Sequence, residues 1–435
     1  MPREPSEEQT ALGLMTTKGI ETDLRFEPRE ITILRELGKQ AAELAARPEE
    51  KEKAEMWTKL NDLEPVRPLV FCDPENGWNE IITQEDLQCT DKLARVWEMN
   101  LRKEIFWGSK MKDDRVIEPY FNVVYSYDDS EWGVAQNVVG EEGQAGGGSV
   151  RWEAAIENYE EDFEKLSFPK ITVDYEQTDR TLDLAHEIFD GILTVRLRGI
   201  WWWTLGMTMD YVYLRGLQNL MMDMYDNPDG VHKMMKFLSD GTLYKLDFLE
   251  KNGLLSLNTE GTYVGSGGFG WTKELPQPDF DGKVRTMDMW GFTDSQETVG
   301  VSTEMFAEFI FPYQKPIQER FGLNCYGCCE PIDPRWEVVK NVPRLRRVSV
   351  SPWADRSKMA EYLGRNYVYS MKPSPTPLAA HAIEEGAVRT TLRDDLRKAK
   401  ECQVEIMMKD NHTIGGNPEN VINWTRIAKE EAMNA

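Results

Sequence analysis

From residue 209 to the C-terminus, short apolar runs alternate with amphipathic ones, and few folds accommodate that rhythm. Runs of four to six residues at 254–258, 282–287, 323–326, 345–350, 367–371 and 404–408 read as strands. Between and after them, residues 210–224, 228–252, 302–320, 336–340, 355–363, 376–385, 388–399 and 418–432 read as helices. Strands alternating with helices predict a parallel sheet with crossover connections. With 66–72, 121–127 and stretches within 171–199, about eight strand candidates lie between residues 67 and 408, enough for an α/β (β/α)8 TIM barrel.

Upstream the pattern is looser. Ile31, Leu34, Leu37, Ala41 and Leu44 share one helical face, Pro48 ends that run, and a second helical segment follows at 49–60. The expected organisation is an N-terminal helical extension over 1–60 and a barrel over 61–435. An α/β segment is inserted at roughly 130–205, and the glycine-rich stretch 140–147 is a flexible surface loop. Residues 82–105 read as one long helix.

Composition narrows the function classes. The chain has 435 residues, is 40% hydrophobic, and carries 14 Trp and 20 Met, a globular balance. A formal net charge of −24 opposes phosphate backbones and anionic lipids, so neither nucleic acid nor a membrane is an expected partner. Residues 1–8 are polar and hold no apolar core, and the most apolar stretch, 193–209, is interrupted by Arg196 and Arg198. The expectation is a cytoplasmic enzyme with reduced thiols, and a homodimer is left open.

In such a barrel, catalytic groups sit just after the strands. That rule gathers residues 73–76, Thr259 and Glu260, Asp288 and Asp294, 325–330, 349–355, 372–374 and 410–412 at one rim. Asp73, Glu260 and Asp288 are candidates for proton handling. Asn258, Trp290, Ser351 and Lys372 are candidates for contacts to a cofactor. Cys325, Cys328 and Cys329 place three of six cysteines within five positions. A soft thiolate beside an imidazole suits zinc, so the metal candidates are Cys328, His412, Cys325, Cys329 and Glu330. With no second paired cysteine motif, an open catalytic site is expected over a closed structural one. The plain alternative is that these cysteines are small buried hydrophobes. The segment Gly265–Gly270 lacks the spacing of a phosphate loop and reads as a mobile lid. Trp201, Trp202 and Trp203 cannot share one face of a helix or strand. At least one is expected to be exposed or to line a cavity.

Residues 306–320, Tyr326 to Cys328, 348–355 with 359–364, and 408–421 together resemble the uroporphyrinogen decarboxylase superfamily, in particular its corrinoid-linked methyltransferase branch. The likeness covers roughly 210–435 well and the first half loosely. Tyr326 to Cys328 is similar to the His-x-Cys pair that binds zinc in those methyltransferases, with Tyr326 replacing the histidine. His412 falls where their last zinc cysteine stands. The resemblance implies a zinc-assisted methyltransferase of anaerobic metabolism. It would move a methyl group between a small methylated substrate or thiol and a corrinoid (cobalamin) carried by a partner protein. Two other readings stand beside it: a metal-free decarboxylase or lyase acting on a carboxylated substrate, and a non-catalytic binding protein on a degenerated barrel.

Overall fold

A computed structural model describes residues 23–134, 137–139 and 151–435 of the chain. The loop expected at 140–147 and residues 1–8 lie outside the described residues. Strands in chain order are β1 (Leu69–Cys72), β2 (Tyr120–Val124), β3 (Tyr127–Asp129), β4 (Asn137–Val139), β5 (Arg151–Glu153) and β6 (Ile171–Val173). They continue with β7 (Thr194–Arg198), β8 (Trp290–Thr293), β9 (Leu323–Tyr326), β10 (Leu345–Val350), β11 (Val368–Met371) and β12 (Gln403–Met408). A six-stranded sheet in the order β1-β12-β11-β10-β9-β8 forms the centre, and all its pairings are parallel. β2 and β7 form a separate parallel pair, while β3–β6 and β4–β5 are small antiparallel ribbons. No described helix is long and apolar enough to cross a membrane.

β1, β8, β9, β11 and β12 are buried along their whole length. That fits parallel strands covered on both faces, and it explains why short apolar runs marked them in the sequence.

The expected barrel ladder is not continuous, because strand pairing stops on either side of the β2–β7 pair. At β1 the free edge is satisfied by carboxylates: Asp114 accepts the Val70 N–H at 2.8 Å and Asp113 accepts the Cys72 N–H at 3.1 Å. At β8 the adjoining segment is 254–258, expected as a strand and found without a ladder. There the Asn258 carboxamide imitates one, accepting from the Trp290 N–H and donating to the Trp290 carbonyl, both at 2.9 Å.

Other expectations shift as well. Residues 282–287 form no strand; the strand begins at Trp290, after a short turn in which Asp288 bonds Arg285. β7, within the segment expected as an insertion, pairs in parallel with β2, which precedes that segment. The helix expected at 302–320 is split into Thr303–Phe309 and Phe311–Gln318, since Pro312 has no N–H to continue the first helix. The helix expected at 82–105 begins only at Lys92, where the Asp91 carboxylate caps the Leu93 and Ala94 N–H groups.

The N-terminal helices Pro28–Ala45 and Pro48–Asn61 are bound into the core. Leu34, Leu37 and Ala41 cluster with Trp97, Phe121 and Phe189. Trp57 is fully buried and donates to the Asp114 carbonyl at 2.7 Å.

The inner face of the six-stranded sheet carries an ion pair between Arg347 and Glu405 at 3.0 Å, both buried. Over it lies the segment expected to be a mobile lid. Tyr263 and Phe269 form an antiparallel bridge, and residues 264–270 are all buried. The glycines are needed for contact: a Cβ on Gly268 would stand 2.4 Å from Glu405 Oε2, and one on Gly267 2.8 Å from Lys372 Nζ. Asn61 ties this plug down by donating to the Phe269 and Trp271 carbonyls, each at 2.7 Å, while accepting from Arg347 at 2.6 Å.

Candidate active site

The loops after β1, β8, β9, β11 and β12 converge at the C-terminal end of the sheet, with the tip of the plug among them. At the centre is Cys328, buried in the turn after β9. Its Sγ accepts from Ser266 Oγ of the plug at 3.2 Å and lies 3.6 Å from Cys329 Sγ. Ser266 Oγ also accepts from Lys409 Nζ at 3.4 Å, so a thiol, a hydroxyl and an ammonium form a buried chain. Lys409 lies 3.7 Å from Asp410 and faces the Trp203 ring at 5.7 Å. Burial opposes its charge, while the acidic side chains around it, Asp410 among them, draw its pKa above the ordinary lysine range.

Cys328 responds the other way. The contact with Cys329 and burial raise its thiol well above the usual range, and Lys409 only partly opposes them. Lys372 follows β11 and donates to Ser370 Oγ at 2.9 Å; burial pulls it down to about 8. Glu75 accepts the Asn411 N–H at 2.9 Å, and burial pushes its carboxyl up to about 8, aided by Asp73 and Asp410 and opposed by Lys409. Asp294 follows β8 and accepts from Thr204 Oγ1 at 2.7 Å. Burial beside Glu330, Glu297 and Cys328 pushes its carboxyl well above the usual range. The rim therefore holds two buried lysines, one of them near its titration point, and two carboxyls that keep their protons, a set suited to proton delivery.

The residues singled out from sequence separate into groups. Asp73 is at the rim but organises the turn, accepting from the Glu75 N–H at 3.0 Å and Trp78 Nε1 at 3.1 Å; burial raises its pKa. Ser351 is fully buried after β10, and its hydroxyl has no partner. Glu260 is held by Arg196 at 2.7 Å and Arg198 at 2.9 Å, away from the Cys328 cluster. Asp288 precedes its strand and so sits at the opposite end of the sheet. Asn258 bridges a seam, and Trp290 is inside β8 with its indole N–H on the Gly270 carbonyl at 3.0 Å.

Of the metal candidates, Cys325 faces the inner side, with Sγ 3.5 Å from Arg347 Nη1. Both oxygens of Glu330 accept backbone N–H groups, from Ser295 at 2.9 Å and Cys328 at 2.8 Å. His412 is exposed. Tyr326 points away from the rim and donates to Gln314 Oε1 at 3.1 Å. Cys329 Sγ lies 3.6 Å from Asp410 Oδ2. Among the described residues, no three His, Cys, Asp or Glu side chains gather as a metal site, and a dication beside Cys328 would face the Lys409 charge. As placed, these residues do not fit zinc.

Sequence reasoning placed Glu75 at the rim without giving it a role, and passed over Lys409 and Ser266. Lys409 follows β12 directly, so the rule that gathers groups after strands could have found it; Ser266 had no such signal.

Trp201, Trp202 and Trp203 all line a cleft between β7 and β8, at the seam that Asn258 bridges. Trp201 is buried and the other two half-buried.

No family model and no curated protein matches this chain. Among solved structures it is similar to a methyltransferase from Methanosarcina mazei, with a TM-score of 0.50 and 10% identity. That likeness covers 88% of this chain and 98% of the other, and at such identity it shows a shared α/β fold.

Proposed function

We propose that this chain is a methyltransferase on a (β/α)8-type scaffold, working in the cytoplasm at the rim formed by Cys328, Lys409, Lys372 and Glu75. A corrinoid carried by a partner protein is the methyl acceptor in this reading, and it supplies the nucleophile. The observation that carries the proposal is the buried chain Cys328–Ser266–Lys409 at the C-terminal end of a parallel sheet, the end where barrel enzymes place their chemistry. The fold likeness to a methyltransferase supports it.

Methyl transfer from a heteroatom breaks one C–O, C–N or C–S bond. The heteroatom keeps the bonding pair and needs a proton. The Glu75 carboxyl keeps its proton up to about pH 8, and Lys409 Nζ presents N–H donors at the same rim. Either one protonating the leaving atom lowers the barrier without a metal ion. The surrounding burial excludes water that would compete for the methyl group.

The test mixes the purified chain with free cob(I)alamin and, separately, methanol, methylamine or methoxybenzene, and follows methylcobalamin by absorbance. Lys409→Met is expected to reduce the rate by about 100-fold or more while leaving the fold intact. Absence of methylcobalamin from every donor overturns the proposal. Two buried lysines at the rim also suit a carboxylated substrate. Release of carbon dioxide without methyl transfer would therefore favour the metal-free lyase reading.

A further inference from the structure

We infer that the tryptophan-lined cleft between β7 and β8 takes a planar, uncharged aromatic molecule; resting on the methyl-transfer reading above, this molecule is the methyl donor. The cleft has an interior volume of about 80 Å3 and opens to solvent, so it suits a single small ring lodged at its mouth. Trp201, Trp202, Trp203, Tyr263, Trp290 and Phe292 all contribute to its lining.

The walls are built, not accidental. Trp201 is pinned by its indole N–H on the Leu254 carbonyl at 2.9 Å and stacks on Tyr125. Trp290 is pinned through Gly270 at 3.0 Å. Gly199 permits the close approach, since a Cβ there would stand 2.1 Å from the Leu254 carbonyl oxygen. The three tryptophans reach one cleft because residues 199–206 are neither helix nor strand, so the side-chain alternation of regular structure does not apply.

Charge argues for a neutral ligand. Arg198 is the cation in the lining, and its guanidinium is committed to Glu260, the Leu257 carbonyl and Thr262. Position links the cleft to the chemistry. Trp203 meets Phe292 edge-on at 5.2 Å and also faces Lys409 at 5.7 Å. Val264, Phe292, Cys325 and Cys328 pack in one cluster with Trp203 against it. A ring bound among the tryptophans thus shares the Trp203 wall with the Lys409 and Cys328 cluster.

Calorimetric titration with methoxybenzene and with methoxycyclohexane, the same ether without an aromatic ring, tests the inference. Methoxybenzene is expected to bind saturably, and about three- to tenfold more tightly than methoxycyclohexane. Trp203→Ala is expected to weaken methoxybenzene about tenfold, with Trp203→Phe recovering part of the loss. Tyr225→Ala, which removes a 76% exposed aromatic ring outside the cleft and the rim, should change nothing. Equal affinity for the two ethers, or unchanged binding in both folded Trp203 variants, overturns the inference. Aromatic binding without methylcobalamin formation would overturn the methyl-transfer reading and leave this site standing. Turnover of methanol with no binding of methoxybenzene would do the reverse.

Discussion

Lys372 and Lys409 are both buried at the rim, yet burial pulls the first down while the acidic groups around the second, Asp410 among them, pull it up. The ordinary value for lysine, 10.5, falls to about 8 at Lys372, so between these limits the unfolded chain binds more protons than the folded one. Stability is therefore penalised in full below pH 8 and recovers as pH rises toward 10.5. Lys372→Met should stabilise the protein at pH 7 by roughly 3 kcal/mol, and the gain should shrink toward pH 10. Urea unfolding of both proteins at the two pH values measures this, and an equal gain at each would refute it. The rim position of Lys372, Cys328, Glu330 and Ser351 was legible from sequence because each closely follows an apolar run. Their partners were not: Glu330 takes two backbone N–H groups, a use no spacing announces.

At the scale of elements, side chains replace missing ladder bonds at both seams of the sheet. Asn258→Ala would leave the buried Trp290 N–H and carbonyl unpaired, and should cost about 2–4 kcal/mol. The measurement is denaturant unfolding; a loss no larger than that of an exposed Asn252→Ala control would show that water or backbone takes over the seam. The sequence marked 254–258 as a strand because the run is apolar, and it does lie beside the strands, but its pairing runs through Asn258. The glycine-rich segment is the sharper lesson. Glycines at 265, 267, 268 and 270 fit a mobile surface turn or a backbone pressed against other chains equally well. Contact with Arg347, Glu405 and Lys372 selects the second.

Across the whole molecule, a net charge of −24 means the folded state works against its own repulsion. Raising NaCl from about 0.02 M to about 0.5 M should lift the melting temperature by roughly 2–5 °C as screening takes hold. A flat or falling melting temperature in scanning calorimetry would show that surface ion pairs dominate instead. By itself, the sequence determined the parallel α/β architecture, because fully buried strands between amphipathic helices leave a periodicity readable one segment at a time. It also determined which end of the sheet bears the polar groups, since residues following strands share an end. Only the tertiary structure decided what those groups do. The distances from Cys328 to Ser266, from Lys409 to Ser266 and from Arg347 to Glu405 join segments far apart in the chain. Burial, which moves Glu75 and Lys372 toward each other on the pH scale, exists only once the plug and the strands have packed.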